Sequence, residues 1–143
     1  MATLTFDVRA VPGDRGLGLE VQFDHKVIAN IEPSDSNTTV THEFDDSEDG
    51  EHLLQITLVN KLPTHTVLDT NGNIVSDAVL ELSQFTVESI DITQVVYDRA
   101  CYNHNFNGTA DSINDVFFGT MGCNGTVSLA ITSPVYVWLL EAM

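Results

Sequence analysis

The sequence predicts an all-β protein, a single antiparallel β-sandwich of jelly-roll or immunoglobulin-like type with roughly eight to ten strands. Apolar and polar residues alternate along much of the chain, which is typical of strands with one buried and one solvated face. Clusters of glycine, proline and asparagine separate these stretches, and no segment has an amphipathic pattern that lasts three helical turns. A chain of 143 residues fits one domain, which we expect to span residues 1–143.

The clearest strand patterns lie in the first half of the chain. Leu4, Phe6, Val8 and Ala10 alternate with polar residues, and a second alternating stretch follows the turn VPGDRG. FDHKVI is predicted as a short hairpin, and TTVTHEF and HLLQITLVN as the next two strands. Each segment is short and bounded by turn-forming residues, as expected for a sandwich.

The second half is less regular. The Asn-Gly pair in LDTNGNIV predicts a tight turn. AVLELSQFTVESIDITQVV is rich in β-branched residues and predicts at least two strand segments. Residues 97–125 are rich in asparagine, glycine and aspartate and predict one long irregular loop. TVSLAITS and VYVWLLEA are predicted as the closing strands.

The charge of the chain excludes some partners. Its 21 acidic and five basic residues give a net charge of -16. Nucleic acid is not an expected partner because no basic stripe is present, and an anionic membrane surface is disfavoured for the same reason. The N-terminus has no signal-peptide pattern and the longest apolar run is too short for a membrane span, so we expect synthesis in the cytoplasm and no membrane insertion. Cys101 and Cys123 are interpreted as free thiols, with one bridge between them as the alternative.

The acidic segment EFDDSEDGEH, residues 43–52, raises the question of calcium. With Gly50 as the central glycine of an EF-hand loop, the twelfth position is Ile56, so the bidentate glutamate of that motif is missing. We interpret the segment as a solvated hairpin turn, with a looser calcium site as the alternative. DTNGN at 69–73 is interpreted in the same way. The candidate calcium ligands in these two turns are Asp45, Asp49, Asp69 and Asn71.

The segment YNHNFNGTAD within the predicted loop has the composition of a glycan site. Aromatic rings can stack on sugar faces, and amide and carboxylate groups can bond hydroxyls. The candidate glycan-binding residues are Tyr102, Asn103, Asn105, Phe106, Asn107 and Asp111. The alternative is a loop that folds over the sandwich edge with its aromatic residues as plugs. Cys101, His104 and Cys123 could form part of a zinc site, but a fourth ligand is not evident.

Recognisable catalytic motifs are absent from the sequence, which has neither a G-x-S-x-G elbow nor a phosphate-binding glycine loop. We therefore predict a protein that is not an enzyme. The C-terminal VYVWLLEAM, interpreted as a strand, is apolar on both faces, and such a strand must be covered on both sides. The candidate contact residues for another subunit or partner are Tyr136, Trp138 and Leu140.

Residues 3–92 resemble the calcium-dependent xylan-binding modules, which are jelly-roll carbohydrate-binding domains. The resemblance lies in LTFDVRA, LGLEVQFDHKVI, TTVTHEF, DGEHLLQITLVN and DAVLELSQFTVESIDI. It implies calcium ligands at Asn60 and Asp77. Lys61 replaces the acid that follows the asparagine in that family, and a lysine ammonium there would repel calcium.

The tail of the chain, residues 95–143, resembles proteins encoded by tailed marine bacteriophages, particularly those of cyanobacteria. The resemblance lies in NHNFNGTADSINDVFFGTMGCNGTVSL, in SPVYVWLLEAM and in the earlier segment NKLPTHTVLDTNGNIVSDA. This resemblance implies an accessory virion protein, a capsid decoration or tail-associated sandwich made in the host cytoplasm. Its partners would be further copies of itself or other virion proteins, and no cofactor would be needed. The alternative is a carbohydrate-binding module, with or without calcium, that contacts host or environmental glycans.

Overall fold

The computed structural model of the chain describes residues 1–11, 16–62, 66–105 and 111–142. Within these residues thirteen strands and two short helices form two antiparallel sheets and a separate hairpin. The elements in chain order are β1 (Ala2–Val11), β2 (Gly18–Phe23), β3 (Lys26–Ile31), β4 (Thr38–Phe44), β5 (Gly50–Val59), β6 (Thr66–Leu68), β7 (Ile74–Asp77), β8 (Val79–Val87), β9 (Ile90–Asp91), α1 (Thr93–Arg99), β10 (Cys101–His104), β11 (Ile113–Val116), β12 (Thr120–Met121), β13 (Gly125–Ser133) and α2 (Val135–Ala142). The predicted all-β sandwich is confirmed.

The two sheets contain five and six strands. The first has the order β12-β8-β1-β4, with β9 paired to β8, and we call it the small sheet. The second has the order β11-β10-β13-β5-β2-β3, and we call it the large sheet. The separate hairpin consists of β6 and β7. The strand count exceeds the predicted eight to ten because several strands, such as β9 and β12, have only two residues.

The inward side chains of both sheets form one hydrophobic core. Along β1 the residues Ala2, Leu4, Phe6, Val8 and Ala10 are each at most 1% exposed, so the alternation in the sequence maps directly onto the buried face. The core contains a stacked ring pair between Phe6 of β1 and Phe85 of β8, with centroids 5.1 Å apart. Burying side chains of this size stabilises the fold by about 1.5–3 kcal/mol each.

One β-bulge joins what the sequence predicts as separate segments. Leu82 lies opposite Val8, but beyond Ser83 the register shifts and Val87 lies opposite Leu4. The extra residue lets the buried positions change from even to odd numbers along β8. Gln84 adopts a positive φ of 57° at this bulge. The segment is therefore a single strand up to Val87.

The C-terminal segment is a helix, so its prediction as a strand is wrong. Pro134 follows β13 and has no backbone N–H, so it cannot donate a hydrogen bond that would extend this strand. Its carbonyl oxygen instead accepts the N–H groups of Val137 and Trp138. In α2 the buried residues are Val135, Trp138 and Leu139, which have the i, i+3, i+4 spacing of one helix face. Trp138 is thus part of the core, and only the other two predicted contact residues, Tyr136 and Leu140, are exposed.

Residues 97–125 also differ from the prediction of one irregular loop. They contain the end of α1 and the strands β10, β11 and β12. The α1 helix itself lies in a segment that the sequence assigns to a strand. Its first residue, Thr93, donates its backbone N–H to Asp91 Oδ1 at 2.9 Å. Ile92, Val95 and Val96 bury the apolar side of this short helix against the core.

Candidate functional site

Tyr102 does not offer a stacking surface, so its predicted role as a sugar platform is wrong. It lies on the inner face of β10 and is only 6% exposed. Its hydroxyl donates to the backbone carbonyl of Cys123 and accepts the Cys123 N–H at 3.0 Å. Burial raises the pKa of Tyr102 to about 12. The side chain therefore anchors the start of β13 to β10.

Of the other predicted glycan residues, Asn103 lies on the outer face of the large sheet. Asn103 is exposed and donates from Nδ2 to Asn114 Oδ1 of β11 at 2.8 Å. Asn105 follows β10 and the exposed Asp111 precedes β11. Phe106 and Asn107 lie outside the described residues. A glycan role for this group stays a prediction.

The predicted zinc ligands are separated by the strand geometry. Cys101 and His104 are three residues apart on β10, so they point to opposite faces of the sheet. His104 is buried beside Tyr102, with ring centroids 4.6 Å apart. Cys101 and Cys123 are both free thiols.

Two of the four predicted calcium ligands in these turns, Asp45 and Asp69, accept hydrogen bonds from their own turns. Asp45 Oδ1 accepts the hydroxyl and the backbone N–H of Ser47, at 2.6 and 2.9 Å, and these bonds lower the pKa of Asp45. Asp69 Oδ1 accepts the N–H groups of Asn73 and Asn71, at 3.0 and 2.8 Å, and the pKa of Asp69 is likewise lowered. Each carboxylate closes an Asx-type turn. Asp49 is exposed in the first turn.

The remaining predicted ligands, Asn60 and Asp77, flank a lysine. Asp77 accepts a hydrogen bond from Lys61 Nζ at 2.6 Å. In the described parts of the chain, no group of three or more histidine, cysteine, aspartate or glutamate side chains is arranged to hold a metal ion.

A chain of hydrogen bonds links Asp24, His52 and Ser133. His52 Nδ1 lies 2.7 Å from Asp24 Oδ2, and His52 Nε2 lies 2.8 Å from Ser133 Oγ. The connectivity is that of a serine-hydrolase triad, but the accessibility is reversed: Ser133 is 7% exposed, whereas the Asp24 side chain is 43% exposed. A nucleophile must reach its substrate. We therefore interpret these residues as a tie between β5, β13 and the turn after β2.

A row of polar side chains crosses the outer face of the small sheet. Arg9 pairs with Glu81, and Glu81 pairs with Thr120, on three neighbouring strands. Asn37 precedes β4 and extends the row beyond Arg9, because Thr38 lies opposite Val8. Arg9 donates from Nε and Nη2 to Glu81 Oε2, at 2.9 and 2.7 Å. A guanidinium has five N–H donors, and this pair uses two of them.

Two aromatic rings border this row. Phe118 is 71% exposed, and its ring meets the half-buried Tyr97 edge to face, with centroids 6.3 Å apart. Tyr97 also packs against the buried Phe117 at 6.2 Å. Gly119 has no side chain, which leaves room for Tyr97: a Cβ atom at this position would lie 2.9 Å from the Tyr97 hydroxyl. The backbone carbonyl of Gly119 accepts the Leu82 N–H at 2.7 Å, which fixes Phe118 beside β8.

The polar row and the two rings enclose an open recess of about 300 Å³. It combines an exposed ring with a carboxylate, a guanidinium, an amide and hydroxyl groups. We call it the small-sheet recess, and its lining residues are Arg9, Asn37, Glu81, Leu82, Ser83, Tyr97, Phe118, Gly119 and Thr120. Ligand sites often pair apolar surface with a few oriented polar groups in this way.

Two solved structures share the fold of this chain. The chain shares its fold with the carbohydrate-binding module vCBM60. A selenomethionine form of vCBM60, described in work on a circular permutation that links two families of calcium-dependent carbohydrate-binding modules, is 13% identical, with a TM-score of 0.56 over 90% of each chain. A second structure, vCBM60 in complex with galactobiose, is 15% identical, with a TM-score of 0.51 over 89% of this chain and 96% of that one. No protein-family model matches the chain, and no curated protein matches it.

The described residues contain no helix that is long and apolar enough to cross a membrane.

Proposed function

We propose that the protein is a non-enzymatic carbohydrate-binding module that holds a neutral glycan in the small-sheet recess. The observation that carries the proposal is the exposed Phe118 ring beside the polar row of Arg9 and Glu81. A sugar ring presents C–H groups to an aromatic face and hydroxyls to polar side chains at its rim. The shared fold with vCBM60, one structure of which holds galactobiose, supports the proposal.

The charge of the chain favours a neutral glycan over an anionic one. With a net charge of -16, the protein repels sulfated or uronate-rich polymers at long range. Within the recess, Glu81 offsets the charge of Arg9. A glycan without charge avoids this repulsion and can still bond both side chains.

The test is a screen of the purified protein against neutral and anionic glycans, followed by calorimetry on the best ligand. Phe118→Ala should weaken binding at least about tenfold, as truncation of a central contact residue commonly does. Tyr136→Ala is the matched control because Tyr136 is also an exposed aromatic residue, 57% exposed, but lies on α2. It should bind as the wild type does.

The same experiment separates the recess from the predicted site on the large sheet. Asn103 and Arg9 lie on the outer faces of different sheets, so one short glycan cannot contact both. Loss of binding in Asn103→Ala with full binding in Phe118→Ala would move the site to the large sheet. Failure of every glycan to bind would refute the function itself.

Assembly through α2 is a second candidate function, and the exposed residues of this helix favour it. Tyr136, Val137 and Leu140 are 57%, 50% and 83% exposed, and a recess of about 390 Å³ lies between α2 and Ile90. Light scattering of the wild type and Leu140→Glu tests this: an oligomer that dissociates in the variant supports assembly, and a monomeric wild type refutes it. A place in a phage virion stays a prediction from the resemblance.

A further inference from the structure

Lys61 is a buried cation that contacts the residues before β8 and the residue before β13. It follows β5, and its side chain is only 1% exposed. Its Nζ donates to Asp77 Oδ1 at 2.6 Å and to the backbone carbonyl oxygen of Ala78. A buried lysine requires partners of this kind, because an unpaired ammonium is costly to remove from water.

The backbone at Lys61 is held as firmly as its side chain. Its N–H donates to Asn124 Oδ1 at 2.8 Å, and its carbonyl accepts from Asn124 Nδ2 at 2.9 Å. The preceding residue, Asn60, has a positive φ of 66°, which turns the chain after β5. Lys61 therefore connects the end of β5 to the start of β8 and to the residue before β13.

The partners of the ammonium are the type of ligand that calcium takes, a carboxylate oxygen and a backbone carbonyl oxygen. An ammonium has three N–H donors and bonds a small set of acceptors, whereas calcium needs six to eight oxygens. Asn60 and Asp77 are also the positions at which the resemblance to xylan-binding modules implies calcium ligands. The residues present do not fit calcium, because a second cation at Asp77 would meet the Lys61 charge.

We propose that the Lys61 ammonium takes the place of the calcium ion that the resemblance implies at this position, so that a cation covalently attached to the chain holds together the segments that Lys61 contacts. A tethered cation cannot be removed by a chelator. The folded state of this region is then independent of calcium, unlike a site whose ligands gather around a bound ion. This inference stands whether or not the glycan binds in the small-sheet recess.

Thermal unfolding with calcium or with excess chelator, at matched ionic strength, tests the inference. The wild-type Tm should be the same in both conditions. Lys61→Met keeps the length of the side chain without its charge, and its Tm should fall by about 10 °C in both conditions. The matched control Lys26→Met, at an exposed lysine, should melt as the wild type does.

A second variant asks whether the position itself can hold calcium. Lys61→Asp places an acid beside Asp77, as in the xylan-binding modules that the chain resembles, so calcium should raise its Tm by several degrees above the value in chelator. Arg99→Asp makes the same change in charge on the exposed side of α1 and should show no such response.

Three results would overturn the inference. One is a wild-type Tm that rises with calcium, falls in chelator and loses this response in Asp77→Asn. The second is a Lys61→Met variant that melts with the wild type, because the ammonium would then support nothing. The third is a folded Lys61→Asp variant that is indifferent to calcium. The first of these results is measured on the wild type and Asp77→Asn, so it tests the inference even if no Lys61 variant folds.

Discussion

Truncating Trp138 tests the conformation of the C-terminal segment. Trp138 is 4% exposed in α2, whereas Leu140 is 83% exposed. Removal of a buried tryptophan side chain costs about 3–5 kcal/mol, because the lost burial and the cavity both destabilise the fold. Removal of an exposed leucine side chain changes the free energy of unfolding by about 0.5 kcal/mol or less. A helix therefore predicts a large difference between two residues that a strand would place on one face.

The difference can be expressed as a melting temperature. At about 2.1 cal/mol/K per residue, the unfolding entropy of a chain of 143 residues is about 0.3 kcal/mol/K. Trp138→Ala should therefore lower the Tm by about 10–16 °C, and Leu140→Ala should change it by about 2 °C or less.

The assay is thermal unfolding followed by circular dichroism, with urea unfolding as a second measure of stability. Tyr136→Ala, on the exposed side of α2, should behave as Leu140→Ala does. Comparable losses in Trp138→Ala, Tyr136→Ala and Leu140→Ala would refute the helix and restore a strand with these three residues on one buried face.

Two further predictions concern acid sensitivity and the bulge. Burial lowers the pKa of His42, and Asp24 offsets this lowering only in part. The unfolded state therefore binds more protons below about pH 6.5, and the stability of the fold decreases as the pH falls through this range. His42 packs against Phe23, and His42→Phe should lose less Tm than the wild type between about pH 7 and 5, as measured by thermal unfolding; equal losses would refute this. At the positive φ of Gln84, Gln84→Val should destabilise the fold by about 1–2 kcal/mol and Gln84→Gly by none, as measured by urea unfolding; equal effects would refute the bulge geometry.

The fold class follows from the sequence where burial is one-sided. Leu4 to Ala10 alternate in the sequence and are buried at every second position, because a strand presents successive side chains to opposite faces. The α2 segment fails this reasoning since nearly all its residues are apolar, and a short apolar run has the same appearance in a helix and a strand. Only the buried set of Val135, Trp138 and Leu139 distinguishes the two, and burial is a tertiary property.

The small-sheet recess could not be assembled from local patterns. Arg9 and Glu81 meet because β8, and not β2, pairs with β1. The β-bulge in β8 shifts the register by one residue between this pair and the pair Leu4 and Val87. Phe118 lay within a segment predicted as a loop, and no motif marks its exposure. The available signal is the pair Phe117 and Phe118 beside Gly119. Successive side chains of an extended segment point in opposite directions, and here Phe117 is buried while Phe118 is exposed.

The two proposals meet in β8. Lys61 bonds Ala78 immediately before this strand, and Glu81 of the recess lies three residues further along it. If the ammonium orders the start of β8, then Lys61→Met should weaken glycan binding although Lys61 does not line the recess, and calcium should not restore it. Phe118→Ala should instead weaken binding with no change in Tm, because its ring is exposed. The combination separates a residue that positions the recess from one that contacts the sugar, and binding that survives in Lys61→Met would show that the recess is ordered by the sheet pairing alone.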